Sequence, residues 1–165
     1  MYKGLFISSI EDPNPVMFFE HKALYRSISG DVPDGYYNIP LSSAKLINNG
    51  HDLSIITYGM GVHWAMSFIN DNPGISIDLL DLRTLIPLDK KSIRETVTKT
   101  GKVLILHEDV NIGGFGADLA SYIAGQLFEY LDAPIFRVSS LDTPVPFANN
   151  LEKNYLANRR LEKNI

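Results

Sequence analysis

Cysteine is absent from this 165-residue chain. Disulfides and thiolate metal centres are therefore excluded, and a reducing compartment such as the cytoplasm fits. No apolar run approaches the roughly 20 residues that a membrane helix needs. The N-terminus has no basic segment followed by an apolar one, so no signal peptide is read. Positive charge is not in excess: the net charge is −4, which leaves no electrostatic footprint for nucleic acid. The nucleophile-elbow pattern is missing, and Ser139-Ser140 has no flanking glycines. The histidines His51, His63 and His107 sit at different turns, with no spacing that would make metal ligands converge. What remains is 45% apolar and 21% charged, the balance of a globular domain with one ordinary core.

The stretch from Lys102 to Leu127 carries the strongest pattern. Val103 to Leu106 is a short apolar run, read as a buried strand. His107, Glu108 and Asp109 stand at its carboxyl end. Gly113, Gly114 and Gly116 follow, and then Leu119, Tyr122, Ile123 and Leu127 recur at helical spacing. Strand, glycine turn and amphipathic helix make half of a βαβ unit, whose sites lie at the carboxyl ends of strands. His107 is the one candidate catalytic residue on this reading. A histidine that caps a loop or faces an interface is the competing account.

The remainder reads in order. Tyr2 to Ile10 suggests a short helix with Leu5, Phe6 and Ile10 on one apolar side, stopped by Asp12-Pro13-Asn14-Pro15. Val16 to Phe19 suggests a buried strand. Residues 29–40 hold two glycines and two prolines and read as a linker. Beyond it, an edge strand at Ala44–Ile47 and strands at Leu53–Tyr58, Ile75–Leu82, Val103–Leu106 and Ile135–Val138 alternate with helices. The first helix should carry Val62, Ala65, Met66 and Ile69 inward. The second should be capped by Asp89, buried through Ile93 and Val97 and stopped by Gly101. The tail from Asn149 to Ile165 reads as helical. The fold class is α/β, a mostly parallel sheet with helices on both faces.

Two turns approach a dinucleotide fingerprint. Gly59-Met60-Gly61 follows a strand, opens a helix and has Asp81 about 20 residues on. Trp64 occupies the third glycine's place, where helix and strand must touch. Gly114-Phe115-Gly116 fails likewise, with Leu119 in the third place. The plainer reading is two tight strand-to-helix turns.

Eight ordered segments carry a wider resemblance: KGLFISSIEDPNPVMFFEHKALYR, VPDGYYNIPLSSAK, LSIITYGMGVHWA, IDLLDLRTLIPLD, TGKVLILHED, GGFGADLA, LDAPIFRVSSLDTPVPFA and LEKNYL. From end to end the chain resembles the C-terminal half of the beta subunit of thiamine-diphosphate-dependent 2-oxoacid dehydrogenases, of pyruvate or branched-chain type. That C-terminal domain is shared with transketolases and has five strands, one of them antiparallel. A transketolase or deoxyxylulose-phosphate synthase domain is the first alternative, and an independent nucleotide-binding module the second.

The resemblance implies a division of the chain. Residues 1–29 would be the truncated end of a pyrimidine-binding domain, 30–40 a linker, and 41–165 the transketolase-like domain. It implies a parent enzyme that decarboxylates a 2-oxo acid and transfers the acyl group to lipoyl groups. Thiamine diphosphate and magnesium would lie outside this piece, which would itself be inactive. It implies potassium at the loop of Ser9, Ile10, Asp12 and Asn14, whose oxygens suit a hard cation. The implied partners are a second copy of the domain, the diphosphate-binding alpha part, and the basic subunit-binding domain of the lipoyl acyltransferase. Glu129 and Asp132, in FEYLDAP, are the expected contacts for that last partner. Phe6, Phe18 and Phe19, deprived of their sheet, are expected to pack on the C-terminal domain or on a second copy. No nucleic-acid or membrane partner is expected.

Overall fold

A computed structural model describes residues 2–161. The part of the tail expectation that concerns 162–165 lies outside the described residues. The centre is a five-stranded sheet in the order β1-β3-β2-β4-β5. Its strands are β1 (Lys45–Asn48), β2 (Leu53–Thr57), β3 (Ile77–Asp81), β4 (Val103–Val110) and β5 (Phe136–Ser140). Only the edge strand β1 runs antiparallel, with Lys45 opposite Asp81. The others are parallel; Ile56, for instance, sits between Leu80 and Ile105.

The run of consecutive apolar residues in each central strand follows from burial on both faces. Ile55, Leu79, Leu104, Leu106 and Val138 point to one face, under Ala65 and Phe68 of α3 (Met60–Asp71) and Leu161 of α7 (Asn158–Leu161). Ile56, Leu80, Val103 and Ile105 point to the other. There they meet Ile93 and Val97 of α4 (Lys90–Thr100) and Leu119 and Ile123 of α5 (Phe115–Gln126). A further helix, α6 (Asn149–Tyr155), precedes α7. The chain moves from β2 outward to β3, then back past β2 to β4. The carboxyl ends of β2 and β4 therefore flank the point where strand order reverses.

α4 is bounded as its sequence requires. The Asp89 carboxylate accepts from Ser92 N at 3.0 Å and from the Ser92 hydroxyl at 2.7 Å. Gly101 ends the helix with φ of 64°, a left-handed conformation that favours glycine.

The first forty residues depart from expectation. α1 (Tyr2–Glu11) is longer than one or two turns, and its apolar side is not buried throughout: Leu5 is buried, but Ile10 is 67% exposed. Val16 to Phe19 is not a strand, and residues 12–21 carry neither helix nor strand. With no neighbouring strand among the described residues to take its backbone bonds, an isolated apolar tetrapeptide gains nothing from extending. Phe18 instead meets Tyr2 and Phe6 edge-on, at 5.2 and 5.3 Å between ring centroids. Phe19 stays 86% exposed. A short helix, α2 (Leu24–Ser27), follows, and the loop after it folds back on α1. Lys3 donates to Pro33 O and Gly35 O, Ile39 N to Gly4 O, and the Ser8 hydroxyl to Ile39 O. In α3, Met66 faces outward at 42% exposure, and Phe68 fills the core position instead.

Candidate functional site at the carboxyl ends of β2 and β4

β4 runs to Val110, so His107, Glu108 and Asp109 are strand residues, not a loop beyond it. Alternation along the strand separates them. His107 faces α5 and is fully buried. A Cβ placed on Gly116 would lie 2.2 Å from its Nε2, and one on Gly114 3.0 Å from its Cε1. The glycines after β4 thus make room for an imidazole under the start of α5, not for a phosphate. Among the described residues, neither ring nitrogen of His107 has a hydrogen-bond partner. Burial lowers its pKa; Asp109 opposes this, and Arg137 adds to it. The ring is neutral and enclosed. Its geometry is that of a packed core histidine.

Glu108 faces the other way. Its Oε2 lies 2.8 Å from Nε2 of His21, which belongs to the segment before α2. Tyr58, just beyond β2, lies edge-on to Phe115 at 6.2 Å. Burial, with Asp109 and Glu108 nearby, pushes its hydroxyl up to about 12. Sequence reading singled out neither His21 nor Tyr58. Their only signal was position: one follows the apolar VMFF run, and the other ends an apolar strand.

The Gly59 turn does not make a nucleotide cradle. Gly59 adopts φ of 58°, which the turn requires, and a Cβ on Gly61 would lie 2.1 Å from Thr57 Oγ1, so Gly61 serves the close packing of helix on strand. Trp64 packs against the core of its face. Asp81 is buried and accepts from Arg83 N at 3.0 Å, so it is turned onto its own loop. Burial raises its pKa, against the lowering effects of the Arg83 backbone, Arg83, His63 and Lys45.

The loop of Ser9, Ile10, Asp12 and Asn14 is brought together at the end of α1. Asp12 Oδ1 accepts from Asn14 N at 2.9 Å and Asn14 Nδ2 at 3.0 Å. These bonds lower the Asp12 pKa. Glu129 and Asp132 lie past the end of α5, Glu129 in a 3-10 turn (Phe128–Tyr130) and Asp132 beyond it. Both are exposed. Asp132 also serves the fold: its N donates to Gly101 O at 2.7 Å, and its carboxylate lies against Gly101. Among the described residues no three His, Asp or Glu side chains converge to hold a metal. This donor set does not fit a magnesium-diphosphate cradle, and no catalytic step follows from these residues.

Residues 42–160 match the family model described as the transketolase C-terminal domain. The chain belongs to the transketolase C-terminal domain family. This transketolase-type domain is 47% identical over 146 residues to the 2-oxoisovalerate dehydrogenase subunit beta 2, mitochondrial, of Arabidopsis thaliana. That match takes in 87% of the chain and 41% of the relative. It is 42% identical over 159 residues to the 2-oxoisovalerate dehydrogenase subunit beta of Bacillus subtilis, covering 94% and 49% respectively. It is also 42% identical over 153 residues to the pyruvate dehydrogenase E1 component subunit beta of Gracilaria tenuistipitata var. liui, covering 92% and 47%. The chain thus spans less than half the length of each of these relatives. Among solved structures, a split-gene transketolase described as an inactive beta4 tetramer shares the fold, with a TM-score of 0.62 and 22% identity. That likeness covers 79% of this chain and 42% of the other.

Proposed function

We propose that this chain is the C-terminal assembly part of the beta subunit of a thiamine-diphosphate-dependent 2-oxoacid dehydrogenase. The carrying observation is identity of 42–47% to dehydrogenase beta subunits across 87–94% of the chain. The transketolase alternative rests on fold alone, at 22% identity. The parent would decarboxylate pyruvate or a branched-chain 2-oxo acid and pass the acyl group to a lipoyl group. Thiamine diphosphate and magnesium would bind in the parent outside this piece. The division at 29 and 40 is part of the reading. The bonds of residues 2–40 close mostly among themselves, which supports the boundary near 40; they also tie residues 33–39 to α1 and so do not mark a boundary at 29. Potassium would use the carbonyls of Ser9 and Ile10, at a helix end where carbonyls lack helical partners, with Asp12 and Asn14 beside them. A second copy, the alpha part and the acyltransferase would be the partners. A reducing compartment, the cytoplasm in a bacterial host, fits the cysteine-free composition.

The test pairs two measurements. The purified chain should release no carbon dioxide from pyruvate or 2-oxoisovalerate with thiamine diphosphate and magnesium; measurable release overturns the non-catalytic assignment. In an intact dehydrogenase, Glu129→Gln and Asp132→Asn should slow association with the acyltransferase at low salt, and less so at high salt. Rim charges act on association rate and salt dependence. Unchanged rates at both salts remove these residues from the docking surface.

A further inference from the structure

Residues 16–19 form no strand within the single chain, yet they keep the pattern of one. Val16 and Phe18 are half-buried, and Met17 and Phe19 are exposed. This period of two is that of a pleated ribbon with one covered face. The cover is α1, where Phe18 meets Tyr2 and Phe6. Among the described residues, no backbone N–H or carbonyl of residues 16–19 takes a hydrogen bond. Unbonded backbone groups along an exposed apolar segment are a template for pairing with another chain. The two edges of the ribbon differ, because alternate residues direct their backbone groups to opposite sides. The edge of Met17 and Phe19 also takes Pro15, which has no N–H to give. The edge of Val16 and Phe18 has no such gap.

We infer that residues 16–19 pair antiparallel with the same residues of a second copy of this chain, about a twofold axis at Met17. The segment is self-complementary in this register. Met17 opposes Met17, and Val16 opposes Phe18, so the covered row of each copy stays on the α1 side. Val16 and Phe18 exchange backbone bonds across the complete edge, and Met17 takes the non-bonded position, where opposed side chains come closest. Val16 against Phe18 is a β-branched and aromatic pair, a favourable combination across strands. Glu20 comes opposite Asn14, so no like charges meet; centring the axis one residue later would set Glu20 against Val16. This surface is separate from the pairing of transketolase-like domains proposed above, which would use residues 41–165.

The test is sedimentation equilibrium of the full chain beside Met17→Lys and Met17→Glu. Met17 is 79% exposed, so neither substitution should disturb the fold of the single copy. The unaltered chain should dimerise as its concentration rises. Each variant should dimerise about tenfold more weakly, because like charges then face each other across the axis. An equimolar mixture of the two variants should recover the dimer, since lysine then meets glutamate. Amide exchange locates the contact: the Val16 and Phe18 amides should slow as concentration rises, and dilution should return them to the fast exchange of the single copy. A chain that stays monomeric throughout overturns the surface. A dimer that neither variant weakens also overturns it, while leaving the pairing through residues 41–165 in place. Failure of the mixture to recover the dimer overturns the Met17 register.

Discussion

His107 shows what one buried side chain imposes on its neighbours. Alanine is a better helix former than glycine by about 1 kcal/mol, so propensity alone favours Gly116→Ala in α5. The added Cβ would meet His107 at 2.2 Å, and the buried ring cannot move away cheaply. Overpacking of this kind costs about 1–3 kcal/mol, so the substitution should be net destabilising in urea unfolding. The same residue gives a pH dependence. Its folded pKa is depressed by burial, so the unfolded chain takes up this proton first as pH falls. Stability should therefore be full above the unfolded value of about 6.5 and decline as pH falls below it. His107→Asn should flatten that slope between pH of about 7 and 5, measured by urea midpoints.

α4 is held at both ends by contacts that extend beyond the helix. Asp89 caps Ser92 and also accepts from Ala44 N at 2.9 Å, joining the helix to the lead into β1. Burial raises its pKa, but the bonds from Ser92, Ala44 and Lys91 outweigh this and hold it below the ordinary value. Asp89→Ala should cost about 0.5–2 kcal/mol for the cap, at the upper end because Ala44 N loses its partner as well. The cap's contribution should be present at neutral pH and be lost as pH falls through the lowered carboxylate pKa. At the other end, Gly101→Ala places a side chain at positive φ and should cost about 1–2 kcal/mol. The added methyl also meets the Asp132 carboxylate. That side chain is exposed and can swing aside, so Gly101→Ala with Asp132→Ala should recover only the smaller, steric part of the loss. Urea midpoints of the single and double variants measure both.

Across the whole molecule, order is expected to follow the sheet. Among the described residues, the one side-chain hydrogen bond between residues 2–40 and the rest is His21 to Glu108. Amides of β2 and β4, buried on both faces, should exchange at rates set by global unfolding, and those of residues 12–23 far faster. His21→Ala should speed exchange in 12–23 further and leave β2 and β4 unchanged. No change in that segment would show that the aromatic contacts of Tyr2, Phe6 and Phe18 alone hold it.

The sequence by itself determined the alternation of strands and helices, the Asp89 cap, the Gly101 stop and the wide family likeness. These depend on periodicity and on local backbone chemistry, which each segment carries alone. Only the tertiary structure decided the rest. VMFF has the composition of a strand, but a strand exists only with a neighbour to pair with, and among the described residues there is none. His107 stood at the favoured place for chemistry, but which face of β4 it took, and that Gly114 and Gly116 at the start of α5 would enclose it, depended on register and helix docking. The meeting of Asp132 with Gly101, of His21 with Glu108, and of Arg137 with Asn111 joins residues 31, 87 and 26 positions apart. Contacts at such separations leave no periodic mark in a sequence, because only packing brings their partners together.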